Sequence, residues 1–139
     1  MNFLLDTCVL SEVVRPKPDK KVIAWLKKQD EETLYISALT FGEIHKGIAK
    51  LPSSRRKETL HQWVEHDLRD RFRNRVLDVT LAVVKIWGEI QGKSELEGQP
   101  LPAIDGLIAA TALAHGLTVV TRNTVDMEQS GVALLNPWA

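Results

Sequence analysis

The chain contains a single cysteine, Cys8, among its 139 residues. It therefore cannot form an internal disulfide or a cysteine-based zinc site, and one free thiol suits a reducing cytoplasm, where we expect the protein to act. No apolar run approaches the ~20 residues of a membrane-spanning helix, so we expect no membrane association. The first residues lack the basic region and cleavage site of a secretory signal, so we expect none.

The sequence also lacks an excess of charge and the common nucleotide-binding motifs. Basic and acidic side chains number 18 each, so net charge provides no general attraction to nucleic acid. There is no GxxxxGK[ST] loop, no GxGxxG after a strand and no GxSxG elbow, which leaves nucleotide cradles and α/β hydrolases unsupported. A phosphoacceptor receiver fits poorly because residues 119–123 contain no lysine.

Strand-like and helix-like apolar patterns alternate along the chain. Short apolar runs predict strands at residues 2–5, 33–37, 75–79, 117–120 and 132–135. Helical spacing predicts helices at residues 8–14, 20–29, 40–50, 55–69, 81–96 and 102–115. In the last helix, Ile104, Leu107, Ile108 and Thr111 are expected to face inward, with Gly116 as its stop. We predict one domain, residues 1–139, of the α/β class, with a mostly parallel sheet of about five strands covered by helices on both faces.

Four acidic residues follow predicted strands or open predicted helices: Asp6, Glu43, Asp105 and Asp126. Such positions share one edge of a parallel sheet, so four distant carboxylates are expected to converge. Neighbouring carboxylates repel one another unless a cation joins them, and ligation by oxygen alone favours Mg²⁺ or Mn²⁺. Such ions activate water for hydrolysis of a phosphodiester. Thr7, Thr121 and Asn123 have the polarity to hold these carboxylates or to contact phosphate.

Two of these acids also have purely structural interpretations. Asp6 is in a position to cap a helix or to form an Asx turn. Thr40 and Glu43 match a capping box, in which the glutamate bonds back to the first N–H of the helix. Taken alone, Glu43 fits a cap better than a metal ligand.

The region of residues 46–75 carries nine lysines and arginines against four acids. A solvated helical arm and a surface that meets phosphate both explain this local excess. The candidate RNA contacts are Arg55, Arg56, Arg73 and Arg75.

Three histidines, His45, His61 and His66, lie in or near the same region. His61 and His66 are five residues apart and therefore point to different sides of an α-helix. We predict structural roles or minor contacts for these histidines and no metal site.

Four segments in this order together resemble the PIN-domain ribonucleases, namely LLDTCV at 4–9, ISALTFGEI at 36–44 with Gly47, DGLIAATA at 105–112 and VTRN at 120–123. More narrowly, the chain is similar to VapC toxins of toxin–antitoxin pairs, especially the FitB-like branch, whose closing Asn-Pro-Trp matches residues 136–138. The resemblance implies an Mg²⁺-dependent endoribonuclease that forms a homodimer. It also implies a VapB-like antitoxin that silences the enzyme, with a toxin–antitoxin hetero-oligomer as a further assembly.

The resemblance places the family's first aspartate on Asp6, its glutamate on Glu43 and its second aspartate on Asp105. Cys8 departs from the pattern, because the family usually has asparagine there. The fourth acidic position stays open between Asn123 and Asp126. The alternative function is a non-catalytic PIN-like module that binds RNA or a protein. The retained acids argue against it, because a pure binder has no use for uncompensated carboxylates beside an RNA path.

Overall fold

The structure is a computed structural model that describes all residues, 1–139. Its strands are β1 (Phe3–Leu5), β2 (Leu34–Ser37), β3 (Val76–Leu77), β4 (Thr118–Val120) and β5 (Leu134–Leu135). Its α-helices are α1 (Thr7–Val13), α2 (Lys20–Lys28), α3 (Ala38–Ala49), α4 (Arg55–Gln62), α5 (Arg69–Arg71), α6 (Leu81–Leu96), α7 (Ala103–His115) and α8 (Thr124–Met127). A π-helical turn (Trp63–Leu68) joins α4 to α5. No helix is long and apolar enough to cross a membrane.

The five strands form one sheet in the order β3-β2-β1-β4-β5, and every pairing is parallel. The first strand of the chain is therefore the central one, and all three of its residues are buried. Phe3 is in register with Leu34 on one side and with Thr118 on the other. The predicted α/β fold with a mostly parallel sheet of about five strands is confirmed. Because all strands run the same way, their carboxyl ends share one edge.

Helices cover both faces of the sheet, and alternating residues of β1 contribute to two apolar cores. Phe3 and Leu5 point into the larger core, whereas Leu4 points into the smaller one, as the period of two in a strand requires. Helices α1 to α3 and the π-helical turn supply the larger core through Val9, Leu10, Val22, Leu26, Ile44, Ile48, Val64 and Leu68. Helices α7 and α8 supply the smaller core through Ile108, Ala109, Ala112 and Met127.

Helix α7 is built from small residues that allow close packing. Gly116 ends it in the left-handed conformation, with φ of 66°, as predicted. A Cβ atom on Gly106 would lie only 2.8 Å from the Gln91 side-chain oxygen of α6, so a larger residue beside Asp105 would displace that side chain. The prediction that Ile104 faces inward was wrong: it is 36% exposed, because the buried stripe runs through Gly106, Ala109 and Ala110 instead.

Helix α3 begins directly after β2, without a loop. Ser37 is its N-cap, and the Ser37 hydroxyl accepts a hydrogen bond from the backbone N–H of Leu39 at 3.1 Å. Thr40 lies inside the helix, fully buried, and its hydroxyl has no hydrogen-bond partner. The capping box predicted for Thr40 and Glu43 was therefore wrong, because Ser37 precedes Thr40 and satisfies the helix start. Glu43 lies in the second turn, where its carboxylate is available for other contacts.

Candidate active site at the carboxyl edge of the sheet

Asp6 lies at the carboxyl end of the central strand and is 4% exposed. Its Oδ1 atom accepts a hydrogen bond from the backbone N–H of Thr7 at 2.8 Å, which caps α1. Its Oδ2 atom accepts a hydrogen bond from the hydroxyl of Thr121, also at 2.8 Å. Burial raises the pKa of Asp6, and these two hydrogen bonds oppose the rise. Asp6 is thus both a helix cap and a buried carboxylate.

Glu43 approaches the same edge from α3. The hydroxyl of Thr7 donates a hydrogen bond to Glu43 Oε1 at 2.6 Å, which joins the start of α1 to α3. The negative charge of Glu43 also contributes to raising the pKa of Asp6, which shows that the two carboxylates are within electrostatic range. Thr7 therefore positions Glu43 through its side chain and Asp6 through its backbone.

Asp105 reaches the edge from the first turn of α7. Burial, followed by the charges of Asp6, Glu43 and Asp126, raises the pKa of Asp105 to about 6. Every charged group that shifts this pKa is an acid, so no basic side chain offsets the negative charge around Asp105. The structure therefore brings together acids that lie far apart in the sequence, such as Asp6 and Asp105.

Asp126 lies at the rim of the cluster. The segment after β4 contains the short helix α8, and Asp126 is exposed on it. Its charge is the weakest of the three that raise the pKa of Asp105. The backbone N–H of Asn123 donates to the hydroxyl of Thr121 at 3.0 Å. Asn123 thus helps to orient the hydroxyl that holds Asp6.

Cys8 also contacts this network. Its sulfur lies 3.9 Å from Asp6 Oδ2 and 3.7 Å from Thr121 Oγ1. Burial and, after it, the charge of Asp6 raise the pKa of the Cys8 thiol, so the thiol stays protonated and donates a weak hydrogen bond to the carboxylate. A sulfur donor at this position holds Asp6 less firmly than an amide would.

The cluster has the chemistry of a site for a hard divalent cation. Its donors are carboxylate and hydroxyl oxygens, which Mg²⁺ and Mn²⁺ prefer. After burial, the charges of neighbouring acids also raise the pKa values of Asp6 and Asp105, and a cation between them would relieve this repulsion. Asp6, Glu43 and Asp105 are the residues that fit such an ion.

A cleft of about 230 Å³ between α1, α3 and α4 leads to this edge, and Glu43 and Arg56 both line it. Arg55 is exposed next to Arg56. Arg73 lies elsewhere, where it pairs with Asp70 at 3.2 Å.

The prediction that Arg75 contacts RNA was wrong, because its side chain is buried. Its guanidinium donates to the backbone carbonyls of Glu31 and Leu34, each at 2.6 Å, and to that of Arg71. Arg75 therefore stabilises the segment before β3 and has no free donor face for phosphate.

One further group of ionisable residues was missed from the sequence. His45 on α3 lies beside His61 on α4 and Glu65 in the π-helical turn, away from the acidic cluster. The four-residue spacing of His61 and Glu65, which places them on one helix face, is the signal that could have found this pair. Their partner His45 is far away in sequence and could not have been assigned to them.

Comparisons with known proteins identify relatives over nearly the whole chain. A family model described as PIN domain matches residues 3–129. The chain is 40% identical to "Toxin FitB" of Neisseria gonorrhoeae and 36% identical to "VapC ribonuclease Y4jK" of Sinorhizobium fredii, each over 136 residues. These alignments cover 98% of this chain in both cases and 98% and 97% of the relatives. The structure of FitAB bound to an IR36 DNA fragment matches with a TM-score of 0.93 and 39% identity, over 99% of this chain and 96% of that one.

Proposed function

This chain belongs to the PIN-domain family and is a ribonuclease toxin of the VapC and FitB type, and we propose that it hydrolyses RNA phosphodiester bonds with Mg²⁺ at the cluster of Asp6, Glu43 and Asp105. The observation that carries this proposal is the convergence of these carboxylates, with no basic side chain to offset the negative charge around Asp105. A purely structural role does not explain the cluster, since acids that repel one another destabilise the folded state. The same donor set would accept Mn²⁺.

Each acid has a distinct part in the proposed reaction. Asp6 and Asp105 would hold the cation; Asp6 is fixed by Thr121 and Thr7, and Asp105 lies where α7 packs closely on α6. A bound divalent cation would supply charge neutralisation at the phosphate and activation of the attacking water. Glu43 is held by the Thr7 hydroxyl through one oxygen, and its other oxygen would orient that water and accept its proton. Asp126, exposed at the rim, completes the site from the solvent side.

The RNA backbone is proposed to enter along the cleft between α1, α3 and α4. Arg56 lines this cleft together with Glu43, so its guanidinium can contact a phosphate next to the scissile one. Arg55 extends the positive surface outward from the cleft. Arg73 belongs to a different surface, and we assign it no part in binding at this site.

The proposed assembly is a homodimer that a VapB-like antitoxin inhibits in the cytoplasm. Support for the antitoxin comes from the related structure, which is a FitAB complex bound to DNA. The single free cysteine is consistent with a reducing compartment.

The direct test is an RNA cleavage assay with purified protein freed of any bound antitoxin. Four reactions are compared: no metal, Mg²⁺, Mg²⁺ with EDTA, and Mg²⁺ with the Asp105→Asn variant. We expect cleavage only in the Mg²⁺ reaction with the unaltered protein. The control Asp67→Asn, which changes an exposed aspartate of the π-helical turn, should cleave normally. Mg²⁺-independent cleavage would refute the metal mechanism, and folded protein that neither cleaves RNA nor binds Mg²⁺ would favour a binding module.

A further inference from the structure

Three potential metal ligands meet on the side of α3 that faces α4. His45 Nε2 lies 3.1 Å from Glu65 Oε1. The rings of His45 and His61 meet edge to face, with centroids 6.1 Å apart. One ligand atom from each of the three residues lies within 4.8 Å of the other two. Two imidazoles and one carboxylate therefore converge on a single point between the helices.

This group is separate from the acidic cluster. Residues two apart on an α-helix point about 200° away from each other, so His45 and Glu43 lie on different sides of α3. His45 and Glu65 line an open cavity of about 680 Å³, the bounding side chains of which also include His66, Arg69 and Asp70. None of the acids at the sheet edge borders that cavity. A ligand in one location therefore leaves the other free.

We propose that His45, His61 and Glu65 form a binding site for a transition-metal ion of the Zn²⁺ type. Imidazole nitrogen selects such ions over Mg²⁺, and two histidines with one glutamate are a common three-residue ligand set that leaves a position for water. Two ligand atoms that are each about 2 Å from one zinc ion lie at most about 4 Å apart. The ligand atoms of His45, His61 and Glu65 lie within 4.8 Å of one another, so a small gap is left to close. His61 is exposed, so rotation of its side chain is free to close that gap.

The positive charge of Arg69 disfavours the binding of a cation at this site. Arg69 Nη1 lies 3.8 Å from Glu65 Oε2, the oxygen that His45 does not contact. The Arg69 side chain is 68% exposed, so it can move into solvent at little cost when an ion takes its place. The oxygen already beside His45 is the one available to the metal.

A bound ion would connect α3 to the α4 segment, and these two helices form walls of the cleft beside Glu43. The third ligand lies in the π-helical turn, a rare conformation that is often found at functional sites. We therefore expect the ion to fix the spacing of the cleft walls rather than to act on RNA itself.

Zn²⁺ binding to the full-length protein is the test, measured by isothermal titration with excess Mg²⁺ present to occupy the acidic cluster. We expect one Zn²⁺ per chain. The affinity for Zn²⁺ should be lower by about tenfold or more in His45→Ala and in His61→Ala than in the unaltered protein. His115→Ala, which removes an exposed histidine at the end of α7, is the matched control and should bind as the unaltered protein does. Asp105→Asn should also retain the site.

Co²⁺ offers a second readout, because its visible absorption reports nitrogen ligands and low coordination number. The absorption should appear on titration of the unaltered protein and of Asp105→Asn, and should be lost in His61→Ala. Absence of Zn²⁺ binding, or binding by His45→Ala and His61→Ala as tight as that of the unaltered protein, would overturn the proposal. Loss of Zn²⁺ binding in Asp105→Asn would assign the ion to the acidic cluster and would equally overturn it. Circular dichroism of each variant establishes that the fold is retained.

Discussion

Replacing Asp105 with asparagine should make the metal-free protein more stable while abolishing RNA cleavage. The substitution keeps the shape of the side chain and removes one negative charge from a cluster of acids. In the folded protein that charge is unfavourable, since burial and three neighbouring carboxylates raise the pKa of Asp105 from 3.8 to about 6. The cost is present whenever the carboxyl group is ionised.

The magnitude follows from this pKa. A rise from 3.8 to about 6 corresponds to about 3 kcal/mol between the ionised and neutral forms. Because Asp105 is only partly buried, solvent screening reduces this to about 1–2 kcal/mol. For a chain of this size we expect the melting temperature of Asp105→Asn to rise by about 3–6 °C.

The stability difference between Asp105→Asn and the unaltered protein depends on pH and on metal in a way that identifies its cause. The folded state holds the proton more tightly than the unfolded state, so the advantage of Asp105→Asn is full above about pH 7 and disappears as the pH falls toward 3.8. Saturating Mg²⁺ should reverse the order, because only the unaltered protein gains full binding energy.

The assay is thermal unfolding followed by circular dichroism in EDTA across this pH range, then repeated with Mg²⁺. Asp67→Asn is the control and should change stability by less than about 0.5 kcal/mol. If Asp105→Asn is less stable than the unaltered protein in EDTA near neutral pH, the carboxylate stabilises the fold and the reasoning is refuted.

Three further predictions concern residues around the site. Thr121→Val removes the hydroxyl that donates to the Asp6 carboxylate, so calorimetry should show Mg²⁺ affinity about 10–100-fold lower, while Thr118→Val in β4 leaves it unchanged; equal affinities would remove that hydroxyl from the site. Arg56→Ala should raise KM for RNA and reduce the salt dependence of cleavage, whereas Arg73→Ala should change neither. If the two substitutions have equal effects, RNA does not bind along the cleft that Arg56 lines. Thr40→Val removes an unpartnered buried hydroxyl, so urea denaturation should show unchanged stability or a gain of up to about 1 kcal/mol. A loss of about 0.5–2 kcal/mol instead would restore the capping interpretation.

Local sequence signals predicted most of the elements, because the features that define those elements lie within a few residues. Asp19 and Thr80, which stand immediately before the helices predicted at residues 20–29 and 81–96, cap α2 and α6 with their side chains. Gly116 adopts the left-handed conformation that ends α7. The apolar runs identified all five strands, although β3 and β5 are shorter than predicted because only two residues of each form ladder pairs.

The errors arose where two residues compete for one role or where distant elements meet. Ser37 and Thr40 are both suitable N-caps, and the direct passage from β2 into α3 decides for Ser37. Arg75 lies in a basic region, but its burial beneath the backbone of Glu31 and Leu34 depends on tertiary packing.

The acidic cluster was predictable as a set because parallel strands share an edge. The hydrogen bond from Thr7 to Glu43 was not, since it depends on the rotation of α3 relative to α1. The approach of His45 to Glu65 depends in addition on the π-helical turn, for which the sequence carries no recognised signal.

The position of β1 in the middle of the sheet has a consequence for synthesis of the chain on the ribosome. β1 is made first and can pair with β2 early, but its other neighbour, β4, begins only at Thr118. Asp105 and Thr121 likewise are made long after Asp6 and Glu43. A nascent or prematurely terminated chain that lacks them therefore has Asp6 and Glu43 without the partners that complete the cluster, and its central strand keeps an open edge. We expect such fragments to be harmless to the RNA around them, so that nuclease activity begins only after Asp105 and Thr121 have been made.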